Sequence, residues 1–153
     1  MSQPSRPEQF QRLLELSQQQ LDELGKKLHA AIQVHTSATQ QLQQLQLYHQ
    51  EYTERLNQER QQGCSMTNYR NFLRFIGTLE TAISEQNTKV VHLSAQRAEI
   101  QQQWHALRQR CKAYETLIER SQQAAQYEAN RLEQRHNDEI ASQLAHRART
   151  PHS

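Results

Sequence analysis

Two cysteines and eight histidines are the residues of this 153-residue chain most suited to covalent or metal chemistry. A nucleophilic cysteine needs a neighbouring base or cation that holds it as the thiolate. Cys64, in the stretch Gly63-Cys64-Ser65, has no histidine or other base placed to activate it. A helical zinc site needs two histidines four residues apart, and no pair among the eight has that spacing. There is also no glycine-rich loop to cradle a phosphate. The expectation is therefore no catalytic residue, no metal site and no cofactor. Cys111 lies far from Cys64 along the chain. At a rise of ~1.5 Å per helical residue the two sulfurs stand ~70 Å apart, beyond the reach of a disulfide.

The elements that carry these residues are legible from hydrophobic spacing. With Leu14 at heptad position a, the a positions are Leu14, Leu21, Leu28, His35, Leu42, His49 and Leu56. The d positions are Phe10, Ser17, Leu24, Ala31, Ala38, Leu45 and Tyr52. A second tract puts Ile76, Ile83, Val90, Arg97, Trp104, Cys111, Ile118, Ala125 and Leu132 at a. Its d positions are Phe72, Leu79, Gln86, Leu93, Ile100, Leu107, Tyr114, Ser121 and Glu128. Between the tracts, Gly63 suits the left-handed conformation that ends a helix, and Ser65 or Thr67 suits the cap of the next. Two heptad tracts with one break predict an all-α fold, a two-helix antiparallel coiled-coil hairpin. Helix one is expected over about 8–62, the turn over 63–65 and helix two over about 66–145. A disordered tail is expected over 146–153, and the whole of 1–153 is expected to form a single domain. Gly25, inside helix one, suggests a slight bend.

In an antiparallel pair an a residue faces a d residue, so opposed residue numbers sum to a constant. A sum of 128 satisfies every layer and centres the turn on Cys64. It sets Tyr52 against Ile76 and Ala31 against Arg97. It leaves helix two longer, with residues beyond about Gln122 overhanging without a partner. His35 and His49 fall on the seam, where polar residues relax packing or fix register.

Composition agrees with a narrow seam. Only 35% of residues are hydrophobic and 6% aromatic, too little for a large globular core. Lys+Arg number 18 and Asp+Glu 16, a balance that gives no electrostatic case for nucleic acid or an anionic membrane. No apolar run approaches the ~18 residues of a membrane span, so no direct membrane insertion is expected. Two free thiols and an N-terminus without a secretion signal point to the cytosol.

One edge is out of keeping with a self-sufficient hairpin. Near the tip the g positions of the two helices, which border one another, are Gln41, Tyr48, Phe75 and Ala82. Such positions are usually polar. With the seam residues Leu45, Tyr52 and Leu79 they form an aromatic-rich strip. Two readings stay open: a widened core, or a protein-binding surface. Leu13 and Leu117 repeat the feature more weakly at the far end.

Several strings resemble the FliJ family of the bacterial flagellar export apparatus. They are Gln46-Leu47-Tyr48-His49-Gln50-Glu51-Tyr52; Asn68-Tyr69-Arg70-Asn71-Phe72; Leu79-Glu80-Thr81-Ala82-Ile83; and Glu128-Ala129-Asn130-Arg131-Leu132-Glu133-Gln134. Trp104 fits between the last two, and the order and single turn match over nearly the whole chain. The resemblance implies a non-enzymatic stalk-like component that promotes assembly and activity of the hexameric export ATPase. It implies contact with the cytosolic domain of the export gate membrane protein and handling of substrate-specific export chaperones. On that reading the gate-facing residues are Gln41, Leu45, Tyr48, Tyr52, Phe75, Leu79 and Ala82. The open end, with Leu13, Leu117, Ala125 and Leu132, would engage the ATPase ring. The implied place is the cytoplasm, peripherally associated with the inner face of the inner membrane, in flagellum assembly and motility. An injectisome counterpart and a generic coiled-coil spacer are the alternatives.

Overall fold

The computed structural model describes residue 3 and residues 5–150. Among these the chain is all-α, with no strand: α1 spans Arg6–Gln62, 57 residues, and α2 spans Met66–Arg149, 84 residues. The two long helices pack against each other as a helical hairpin, the fold class the heptads predict.

Local chemistry explains where each helix begins and ends. α1 starts at Arg6, two residues before the expected Glu8. The Glu8 N–H donates to Ser5 Oγ at 3.4 Å, and the Ser5 N–H donates back to Glu8 Oε2 at 3.2 Å. This reciprocal capping box satisfies two donors that a helix start leaves open. Pro7 is accommodated because the first turn asks for no N–H from it. At the break, Gly63 has φ 91°, in the left-handed region where a Cβ is penalised. Ser65, rather than Thr67, caps α2: its Oγ accepts from the Asn68 N–H at 3.2 Å.

The expected disordered tail over 146–153 needs correction. α2 continues through Arg149, so residues 146–149 are helical, while 151–153 lie outside the described residues. Arg147 and Arg149 stand in the last turn and set positive charge against the negative end of the helix dipole. The Thr150 N–H donates to the His146 carbonyl at 3.2 Å, and its hydroxyl to the Arg147 carbonyl at 3.1 Å.

The hairpin divides into two compact units, Leu21–Ala106 and a second built from α1 up to Gln20 with α2 from Leu107. In the Leu21–Ala106 unit every a and d position from Leu21 to Leu56 and from Phe72 to Trp104 is buried or half-buried. Its deepest side chains are Ala38, Leu56, Leu79 and Ile76. Burying a leucine of this kind contributes about 1.5–3 kcal/mol. The second unit buries Leu14, Ser17 and Cys111 and half-buries Phe10, Leu107, Tyr114, Ile118 and Ser121. From residue 122 to residue 150 every residue is exposed, Leu132, Ile140 and Leu144 included.

Polar contacts cross the seam in the Leu21–Ala106 unit. Gln86 Nε2 donates to the Ala38 carbonyl at 2.9 Å and to Gln41 Oε1 at 3.2 Å. His49 Nε2 lies 3.1 Å from Glu80 Oε1, and Arg97 Nη1 lies 3.4 Å from His35 Nδ1. The residue numbers of these pairs sum to between 124 and 132 and straddle 128. Gly25 faces Trp104: a Cβ there would lie 3.6 Å from the indole Nε1. That is ordinary contact distance, so the ring leaves space for a methyl group at this position.

Candidate functional site

The g edge near the turn exposes two aromatic side chains. Tyr48 is 42% exposed and Phe75 43%. The strip around them is graded. Gln41 is exposed, Leu45, Tyr52 and Ala82 are half-buried, and Leu79 is buried. Leu79 therefore belongs to the core beneath the strip and holds it up from below.

Tyr52 is the hinge between core and surface. Its ring centroid lies 4.5 Å from that of Phe75 at 53°, and 6.4 Å from that of Phe72. Tilted ring pairs at these separations add to simple burial. The Arg55 guanidinium sits 5.5 Å from the Tyr52 centroid, within cation–π range. Tyr52, Phe72, Phe75, Asn68 and Asn71 line a shallow groove of about 200 Å³. Among the described residues Tyr48 has no ring neighbour of this kind; its hydroxyl accepts a hydrogen bond from Gln44 Nε2 at 3.0 Å. Phe75 is thus tied to the seam through the Tyr52 ring, a contact that Tyr48 lacks although the two are equally exposed.

The second unit carries the other candidates: Leu13, Leu117, Ala125 and Leu132 are all exposed there.

The reactive groups are quiet. Cys64 and Cys111 are both free. The Cys64 thiol is pushed above its ordinary pKa by desolvation, then by its hydrogen bond to Glu59 and that carboxylate's charge; the Sγ–Oε2 distance is 3.6 Å. Cys111 is raised by burial and then by Glu115. Both shifts favour the unreactive thiol over the thiolate. Among the described residues no three His, Cys, Asp or Glu side chains are grouped to hold a metal ion. Among them too, no helix is long and apolar enough to cross a membrane.

Sequence reasoning did not anticipate the Ser5–Glu8 capping box, although Ser-x-x-Glu is its signature. Nor did it find the pairs His49–Glu80, His35–Arg97 and Gln86–Ala38. The heptad register brings these residues level, but periodicity alone carries no side-chain rotamer.

A helix pair with exposed aromatic side chains along one edge is a coiled-coil protein whose functional candidates are surfaces rather than an enclosed pocket. The chain belongs to the FliJ family: the family model described as Flagellar FliJ protein matches residues 6–150. It is similar to the flagellar FliJ protein of Escherichia coli (strain K12), 32% identical over 136 residues, covering 88% of this chain and 92% of that one. It is also similar to the flagellar FliJ protein of Salmonella typhi, 29% identical over 135 residues with the same coverage. No solved structure matches.

Proposed function

We propose that this chain is a non-enzymatic, stalk-like component of the flagellar type III protein export apparatus. It promotes assembly and activity of the export ATPase, contacts the cytosolic domain of the export gate and handles empty export chaperones. Membership of the FliJ family supports the flagellar export setting. The observation that carries the contact role is the exposure of Tyr48 at a position where a coiled coil needs no aromatic ring. On this reading Gln41, Leu45, Tyr48, Tyr52, Phe75 and Ala82 face the gate, with Leu79 as their support. The open end, with Leu13, Leu117, Ala125 and Leu132, meets the ATPase ring. The protein works in the cytoplasm at the inner face of the inner membrane.

Flagellar relatives favour this reading over an injectisome counterpart, and the aromatic edge favours it over a plain spacer. The deciding measurement is ATP hydrolysis by the export ATPase of the same bacterium with and without the protein. Stimulation is expected. An unchanged rate over a titration to saturating protein removes the ATPase role and leaves a spacer or adaptor.

A further inference from the structure

The aromatic edge does not end at Ala82. The g positions of the two helices run in layers away from the turn: Tyr48 with Phe75, Gln41 with Ala82, Val34 with Lys89, then Lys27 with Gln96. The first two layers form the strip already described. The third is a groove. Gln33, Val34, Ser37, Ala38 and Gln41 of α1 and Lys89 of α2 line a surface hollow of about 230 Å³. Val34 is 50% exposed on it, and the Gln86 side chain bonds both Ala38 and Gln41 at its margin.

Charge along this stretch has one sign. α1 has no Asp or Glu between Glu23 and Glu51, and α2 has none between Glu85 and Glu99. Those same stretches hold Lys26, Lys27, Lys89 and Arg97, with His29, His35, His49 and His92. The chain as a whole has nearly as many acids as bases, so the local imbalance is a property of this part of the hairpin. Among the described residues neither Lys27 nor Lys89 has an ion-pair partner. An apolar hollow beside unpaired lysines fits a protein segment that presents an aliphatic side chain and a carboxylate. Nucleic acid fits less well, because the exposed cations are few and an exposed valine lies among them.

We infer that the edge continues as one docking surface, and that the Val34–Lys89 groove binds an acidic, partly apolar stretch of the same partner segment that the Tyr48–Phe75 end engages. This rests on the gate-contact reading above. Tyr48 and Val34 are fourteen positions apart on one helix, roughly 21 Å. An extended partner would cover that span with about six or seven residues, so its apolar anchor and its carboxylates are separated by about that length.

The test uses the full-length protein and the purified cytosolic domain of the export gate from the same bacterium. Binding is measured at two salt concentrations for wild type, Tyr48→Ala, Lys89→Glu, Lys89→Gln, Val34→Ser and Lys112→Glu. Lys112 is exposed on α2 and off this edge, so it controls for net charge. Circular dichroism checks that each variant stays helical. Lys89→Glu is expected to weaken binding about tenfold at low salt and less at high salt, because exposed charge contacts are screened. Val34→Ser should weaken it severalfold and Lys112→Glu should not change it. If Tyr48→Ala weakens binding while the Lys89 and Val34 variants bind like wild type, the groove inference is overturned and the gate reading stands. If wild type does not bind the gate domain, the gate reading fails and the inference falls with it. If Lys112→Glu weakens binding as much as Lys89→Glu, the effect is net charge and the groove is overturned. If Lys89→Glu abolishes binding to a DNA duplex or to anionic vesicles while gate binding is unchanged, the surface serves a different partner and the inference is likewise overturned.

Discussion

The Phe75 ring rests against that of Tyr52, centroids 4.5 Å apart, so Phe75 serves the helix pair as well as the surface. Tyr48, as exposed as Phe75, takes a hydrogen bond from Gln44 one turn away and, among the described residues, stacks on no ring. The two edge aromatics should therefore differ when truncated. Tyr48→Ala should weaken binding to the export gate with a smaller loss of thermal stability than Phe75→Ala, which also removes a ring contact. A desolvated aromatic anchor typically costs about 2 kcal/mol or more, roughly thirty-fold in affinity. Phe75→Ala should lose affinity and lower the melting temperature together. Equal thermal stability in the two variants would mean that the Tyr52–Phe75 contact carries no weight.

The core beside the turn is narrow, so single residues count for much. Leu56→Ala and Ile76→Ala each remove a buried side chain and should each cost about 2–5 kcal/mol by chemical denaturation. Leu47, on the same helix but 58% exposed, should tolerate alanine with a change within about 0.5 kcal/mol. Similar losses at all three would contradict the heptad frame.

Gly25 offers the reverse effect. An added Cβ would sit at ordinary contact distance from the Trp104 indole, 3.6 Å from Nε1, and alanine is favoured over glycine in a helix by about 0.8–1.0 kcal/mol. Gly25→Ala should therefore raise stability by up to that amount, read as a higher denaturation midpoint. A fall in the midpoint would show that the indole needs the open space.

The two thiols should separate cleanly on labelling. Cys64 is half-buried and Cys111 buried, and both pKa values are raised. In the folded protein a maleimide or disulfide reagent should modify Cys64 first and Cys111 only slowly. The Cys64 rate should keep climbing with pH past the point where an ordinary thiol levels off, because the thiolate forms late. Glu59→Gln removes the carboxylate charge and should bring that rise to lower pH.

Much of this architecture was written in the spacing of apolar residues. Period places Phe10 to Leu56 and Phe72 to Ser121 on one seam, and the structure keeps those positions buried or half-buried. Period also weakens after Ile118, and exposure of 122–150 follows. The helix ends were harder to read. Pro4 and Pro7 look like breakers, yet one Ser–Glu reciprocal cap starts the helix between them. The site was legible only in part. The g positions picked out Tyr48 and Phe75, but nothing in the spacing distinguishes a ring that leans on Tyr52 from one that does not. That difference depends on rotamers, which neighbouring side chains select.

Residues 122–149 wind as helix without covering side chains, and a helix with that little support stands near the balance between wound and unwound. A partner that recognises the wound form sees only the fraction of molecules that hold it, and its apparent dissociation constant is the intrinsic one divided by that fraction. Affinity at this end can then be tuned without altering any contact. Where the wound form is the minority, an alanine-to-glycine change on the side of the helix away from the partner, at about 1 kcal/mol, lowers affinity about fivefold. The length of bare helix acts as a setting for how readily a partner is engaged and released.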